Sequence, residues 1–271
     1  MERYYINYIV LCEKGSKRNK NQDNFWCNGK FLASNNNGLA EPIEGSFNNA
    51  DYPAFAVFDG MGGENHGETA AYLAAKTFDD SYSSLKNKKR DAKKLLLESC
   101  YKMNNEICSF SQINHSGHMG TTAAILMFSK NEIFVCNIGD SKIFAHENHK
   151  ITQLTLDHSA SVNKEKTPAL TQYLGIPKTE FIIEPYIARC NYQDKGRYLI
   201  CSDGLTDMMA LEEIENIMST QLSIVQRAGT LMNNALLNGG YDNITIILCD
   251  IRKNKGFQIK EIFNRRDKHE H

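Results

Sequence analysis

Apolar positions recur along this chain with two different periods. Tyr5 to Leu11, Ala54 to Phe58, Thr121 to Phe128, Ile133 to Ile138, Phe181 to Ala188, Tyr198 to Cys201 and Ile244 to Leu248 are short runs rich in Ile, Val, Phe and Tyr, and they read as β-strands. Other stretches advance by three or four. Between Asp91 and Phe110 the residues Leu96, Cys100, Met103, Ile107 and Phe110 fall on one helical face, and between Ser223 and Leu236 so do Ile224, Ala228, Leu231 and Ala235. His66 to Phe78 is an alanine-rich run suited to close helix packing. Many strands follow one another with no helix between them, which disfavours an alternating parallel sheet. The pattern predicts an α+β fold of antiparallel sheets with helices outside. Ser34 to Asp51 and Lys253 to His271 read as a loop and a charged tail. With no repeat and no linker, one domain over 1–252 followed by a tail at 253–271 is expected.

Composition narrows the function classes. The chain has 271 residues, 41% of them hydrophobic, enough for one large domain with a substantial core. Its 31 basic residues stand against 32 acidic ones, without the surplus of a nucleic-acid binder, so no nucleic-acid partner is expected. No stretch approaches the roughly 20 apolar residues that span a bilayer. The segment from Met1 to Tyr8 lacks a basic-then-apolar export pattern, so a cytoplasmic location away from membranes is expected. The eight cysteines are dispersed with no C-x-x-C pair, which predicts reduced thiols rather than a zinc ribbon or disulfide scaffold. His115/His118 and His146/His149 lack metal-binding helical spacing and read as surface residues.

The aspartates carry the chemistry. Phe55-Ala56-Val57-Phe58 runs into Asp59-Gly60-Met61-Gly62-Gly63, and Tyr198 to Ser202 runs into Asp203-Gly204. Ile133 to Ile138 ends in Gly139-Asp140, and Asp242-Asn243 leads into Ile244. One Asp-Gly is commonly a turn. Several carboxylates at strand ends repel one another when gathered, and cations are needed to offset them. Oxygen-only ligand sets suit Mg²⁺ or Mn²⁺. A carboxylate-bridged pair of such ions can activate a water for in-line displacement at phosphorus.

The set Arg18-x-x-Asn21-Gln22-Asp23, Phe58-Asp59-Gly60-Met61-Gly62-Gly63, Met119-Gly120-Thr121-Thr122, Ile138-Gly139-Asp140-Ser141, Leu154-Thr155-x-Asp157-His158, Cys201-Ser202-Asp203-Gly204-Leu205 and Asp242-Asn243-Ile244-Thr245 resembles the metal-dependent serine/threonine protein phosphatases of the 2C type. The motifs run in the family's order from about Ile6 to Ile251, and Met61 resembles the bacterial branch. The resemblance implies a four-layer α-β-β-α sandwich and two or three Mn²⁺ or Mg²⁺ ions. It implies that Asp59 bridges two ions and that Asp203 and Asp242 complete the first site. The Gly60 carbonyl serves the second, with Asp23 near it through water, and Asp140 with Asp203 holds a third. Arg18 would clamp the substrate phosphate, and a metal-bridging water would attack phosphorus with no phosphoenzyme intermediate. The partners implied are a phosphoserine or phosphothreonine protein and a cognate Ser/Thr kinase, and the implied state is a monomer.

The sequence also departs from that family. Only Ser159 to Pro168 stands where a long flap is usual, Gln172 and Lys142 replace customary arginines, and Met61 leaves the general acid unassigned. Two rivals follow. Cys12-Glu13-Lys14-Gly15-Ser16-Lys17-Arg18 fits the C-x-x-G-x-x-R pattern of cysteine-dependent tyrosine phosphatases, without the flanking residues or the following helix. A non-catalytic metal-holding module of the same fold is the other.

Overall fold

The computed structural model describes residues 3–48, 52–61, 66–83, 91–129, 132–160, 169–192 and 194–254. One antiparallel sheet contains β1 (Arg3–Glu13), β3 (Ile43–Asn48), β8 (Lys142–Glu147), β9 (Lys150–Gln153), β13 (Arg197–Cys201) and β14 (Ile244–Asn254), in the order β3-β1-β14-β13-β8-β9. The other contains β2 (Asp23–Cys27), β4 (Ala54–Met61), β6 (Ala123–Phe128), β7 (Glu132–Ile138) and β12 (Tyr186–Asn191), in the order β12-β7-β6-β4-β2, with the short β5 (Gly120–Thr121) also paired to β4. A two-stranded ribbon of β10 (Ser159–Ala160) and β11 (Ala169–Leu170) leads into and out of residues 161–168, which lie outside the described residues.

Helices cover both outer faces, so the fold is the predicted α-β-β-α sandwich. α1 (Gly67–Ser83) and α2 (Ala92–Asn114) lie on the second sheet, sealed by an apolar layer of Trp26, Phe58, Phe78, Leu96 and Ile125. α3 (Asp203–Thr206), α4 (Leu211–Ser219) and α5 (Ile224–Leu237) lie on the first sheet over Phe144, Leu199, Leu231, Ile246 and Leu248. Between the sheets pack Tyr8, Val10, Phe25, Phe55, Val57, Leu126, Ile143, Ile200 and Ile247. The central strands are buried on both faces, which is why they read as continuous apolar runs.

Local chemistry sets the helix starts. The Asp91 side chain accepts a hydrogen bond from the Lys93 N–H, and Ser223 forms a capping box with Gln226. Both satisfy first-turn donors that the helix leaves unpaired.

Three sequence expectations need correction. The strand expected over Phe181 to Ala188 begins only at Tyr186, because Pro185 has no N–H for the β12–β7 ladder; Phe181 and Ile182 are exposed. The expected loop Ser34 to Asp51 contains edge strand β3, where only every second residue faces inward. His146 is buried rather than on the surface, its Nε2 2.9 Å from Ser219 Oγ, while His115, His118 and His149 are exposed as expected. All eight cysteines are free thiols.

Candidate active site

The side-chain alternation that builds the inter-sheet core also builds the site. On β4, Phe55 and Val57 face between the sheets, and the next position of that parity is Asp59. On β2, Phe25 and Cys27 face inward, and so does Asp23. Asp23 and Asp59 are direct cross-strand partners. The same parity continues from Ile200 to Ser202, from Ile247 to Thr245, from Ala124 to Thr122 and from Ile143 to Ser141. At one end, therefore, the apolar layer gives way to a polar cap of carboxylates and hydroxyls.

Hydrogen bonds hold that cap. Buried Asp23 accepts from Ser202 Oγ and from Thr245 Oγ1, each at 2.7 Å. The Asp59 N–H donates to Thr122 Oγ1 at 3.0 Å, and Thr122 Oγ1 lies 2.6 Å from Ser141 Oγ. Thr121 Oγ1 donates to the Asp59 carbonyl at 2.9 Å. Asp203 opens α3, and Gly204 beside it is needed because a Cβ there would stand 2.0 Å from the Asn243 carbonyl oxygen. Gly60 is equally confined, with Gly67 and Gln22 carbonyl oxygens 2.3 and 2.4 Å from where its Cβ would be.

The electrostatics follow from crowding acids in a half-dry place. Burial, then Asp203, Asp23 and Asp140, push the Asp59 carboxyl well above the usual range. Burial lifts Asp23 to about 7 against the opposing hydroxyl bonds, and Asp203 to about 6 with help from Asp140. Burial also raises Asp140 and Asp207. Lys142 spans their periphery, donating to the Asp140 carbonyl at 2.9 Å and pairing with Asp157 at 3.3 Å.

Arg18 and Asp242 complete the cleft at its solvent edge, 2.5 Å apart from Nη2 to Oδ2. Asn243 fixes them in register. Its Nδ2 donates to the Lys14 and Lys20 carbonyls, and its Oδ1 accepts from the Gln22 N–H. Gly15, at φ +78°, lets the same loop pass where a Cβ would stand 2.1 Å from the Asp242 carbonyl oxygen.

Arg18, Asp23, Asp59, Gly60, Asp140, Asp203 and Asp242 thus gather around one end of the sandwich. Asp59, Asp203 and Asp23 interact directly or through space; Asp140 stands beside Asp203, and Asp242 is held by Arg18. Among the described residues, no three acidic, histidine or cysteine side chains close on one point at ligand distance. Gly62 and Gly63 lie outside the described residues. Roles for Ser202, Thr245, Ser141, Asn243 and Asp207 were not read from the sequence. Continuing each strand's alternation one step past its apolar run would have found the first three.

One departure and one rival reading gain a physical meaning. Gln172 is buried and its Oε1 accepts the Glu184 N–H at 3.0 Å, so it tethers the segment before β12. Cys12 lies inside β1 opposite Thr245 and accepts bonds from Asn21 and Thr245, and burial pushes its thiol up to about 12. A buried protonated thiol in a paired strand is no nucleophile, so the cysteine-dependent reading fails.

A helix-flanked β-sandwich with a carboxylate cluster at one end of its inter-sheet layer is the architecture of metal-dependent phosphoprotein phosphatases. The chain belongs to the protein phosphatase 2C family, whose model, Protein phosphatase 2C, matches residues 45–238. That match leaves out Arg18, Asp23 and Asp242, which the fold brings in through β1, β2 and β14. The chain is similar to serine/threonine phosphatase stp of Listeria monocytogenes serotype 4b, 28% identical over 225 residues, 76% of this chain and 88% of that one. It is also similar to protein phosphatase PhpP of Streptococcus pneumoniae serotype 2, 27% identical over 264 residues, 90% and 97% of the two chains. Its fold matches a crystal structure of the catalytic domain of serine/threonine protein phosphatase PstP in complex with two manganese ions. There the TM-score is 0.71 and the identity 22%, over 92% of this chain and 99% of that one.

Proposed function

We propose that this chain hydrolyses phosphoserine and phosphothreonine monoesters of proteins, using two or three Mn²⁺ or Mg²⁺ ions held at the carboxylate cap. The observation that carries the reading is the gathering of buried Asp23, its cross-strand partner Asp59, and Asp203 at one end of the layer between the two sheets. Carboxylates so crowded gain by binding a divalent cation. The donor set fits: it is all oxygen, with no thiolate or imidazole among the gathered groups, and suits hard ions. Asp59, Asp203 and Asp242 would hold one ion, Asp59 and the Gly60 carbonyl with Asp23 behind them a second, and Asp140 with Asp203 a third. When bound, such ions supply a water activated for attack at neutral pH and charge stabilisation for displacement at phosphorus.

The protein's own groups do the rest. Arg18, half-exposed at the rim, offers a planar fork of donors that matches two phosphate oxygens. Ser202 and Thr245 keep Asp23 turned inward, and Thr122 fixes the backbone of Asp59. The catalytic domain would run through the end of β14 at Asn254, two residues past the expected boundary at 252, with a tail after it. The family resemblance supports a monomer acting in the cytoplasm opposite a cognate Ser/Thr kinase, and no described helix is long and apolar enough to cross a membrane. The test is hydrolysis of a phosphothreonine peptide by wild type and Asp203→Asn, with manganese, with magnesium and with chelator. Chelator-sensitive turnover that the variant loses is expected. Chelator-insensitive turnover, or none with either metal, overturns the reading in favour of a non-catalytic module.

A further inference from the structure

The loop that carries Arg18 reads Lys14-Gly15-Ser16-Lys17-Arg18-Asn19-Lys20, four cations in seven residues. Two of them are answered: Arg18 by Asp242, and Lys20 by Glu68 at 2.8 Å. Among the described residues no carboxylate pairs with Lys17, which is exposed. It is nevertheless not left to wander. Its Nζ stands over the ring of Tyr241, 6.0 Å from the centroid, at the outer limit of a cation–π contact. Tyr241 is 59% exposed, yet its ring is seated against Gly239, where a Cβ would fall 2.5 Å from ring carbon Cε2. The two segments are stitched together by the Ser16 N–H on the Gly240 carbonyl at 2.8 Å and by the Asn243 bonds to Lys14 and Lys20.

A cation held on an aromatic ring stands one residue from the proposed phosphate clamp, and no described carboxylate pairs with it. We propose that Lys17 is a specificity-determining residue that selects phosphoprotein substrates carrying an acidic side chain beside the phosphorylated residue, and that Tyr241 is its positioning residue. The inference rests on the phosphatase reading and deepens it. Charge complementarity names the occupant: beyond the phosphate, the flanking chain meets an unpaired ammonium on a fixed platform. The contact is exposed, so its contribution is that of a surface ion pair rather than a buried one.

The test uses the full chain with manganese and three matched phosphothreonine peptides, flanked by aspartate, alanine or lysine, alongside p-nitrophenyl phosphate. For wild type, kcat/KM should fall from the aspartate peptide to the lysine peptide by about three- to tenfold, carried by KM. Lys17→Glu should reverse the order. Tyr241→Ala should shrink the preference about two- to threefold, and Tyr241→Phe should restore it. An unchanged order in Lys17→Glu, or equal kcat/KM for the three peptides in wild type, overturns the proposal while p-nitrophenyl phosphate turnover keeps the phosphatase reading intact. Wild type without p-nitrophenyl phosphate or peptide turnover under manganese overturns both.

Discussion

Two clusters of buried charge sit towards opposite ends of β14, and they are built on opposite principles. At the far end, Arg227 from α5, 1% exposed, pairs with Asp250 at 2.5 Å and donates its Nε–H to the Leu222 carbonyl. Arg197 close by gives its guanidinium to the Met218 and Thr220 carbonyls at the end of α4. Each charged side chain there meets a partner supplied by the chain, although Arg227 Nη1 and Asp250 Oδ1 are left without a hydrogen bond. At the near end, Asp23, Asp59, Asp140 and Asp203 crowd together, and hydroxyls rather than opposite charges answer Asp23. A protein that only needed stability would build the first kind. Tolerating the second means that an ion from outside completes the balance.

The comparison breaks most sharply at Asp203. Asp203→Asn should cut kcat/KM on a phosphothreonine peptide by at least about a hundredfold, while thermal melting in chelator shows a protein at least as stable as wild type. A variant both inactive and strongly destabilised would mean that the acids serve folding. At the other end the outcome should invert. Arg227→Ala strands Asp250 and should cost about 3 kcal/mol in urea unfolding. Arg227→Met with Asp250→Leu should recover most of that, with unchanged turnover per folded molecule.

A smaller effect separates the clusters by pH. Asp23 and Asp203, at about 7 and about 6 against an ordinary 3.8, bind protons more tightly folded than unfolded. The stability of chelator-treated protein should therefore decline as pH rises from about 4 through about 7. Saturating manganese should reverse the slope, because cations bind the deprotonated acids. Denaturant midpoints at several pH values check this, and equal slopes with and without metal would contradict it. Smallest of all, Cys12→Ser should keep turnover within about threefold of wild type. A dead variant that still binds manganese would reinstate the thiol as nucleophile.

Much of this contrast was legible before the fold. β4, β7, β13 and β14 stand out as apolar runs because both of their faces are covered, and the aspartates at their ends, Asp59, Asp140, Asp203 and Asp242, mark the site. What escaped has physical reasons. β2 holds Asp23, Asn24, Phe25, Trp26 and Cys27, all buried, yet its polar half hides the strand; the burial is paid in hydrogen bonds from Ser202, Thr245 and the Leu32 N–H. β3 shows the core only one face, and α4 is nine residues long with just Ile214 and Met218 buried. His146 looked like a surface residue because its partner, Ser219, lies 73 positions away. The motif around Asp242 was visible, but Asn243 holding Lys14, Lys20 and Gln22 is a property of the folded loop alone.

The Arg18–Asp242 contact carries a thermodynamic consequence. If Asp242 ligates a cation and Arg18 a phosphate as proposed, each ligand removes the group that the other's residue was paired with. The two binding events then share one coupling free energy, and linkage requires it to act equally in both directions. Whatever factor inorganic phosphate adds to manganese affinity, manganese must add to phosphate affinity. A metal dissociation constant measured on this protein alone would then describe only one side of a four-state cycle.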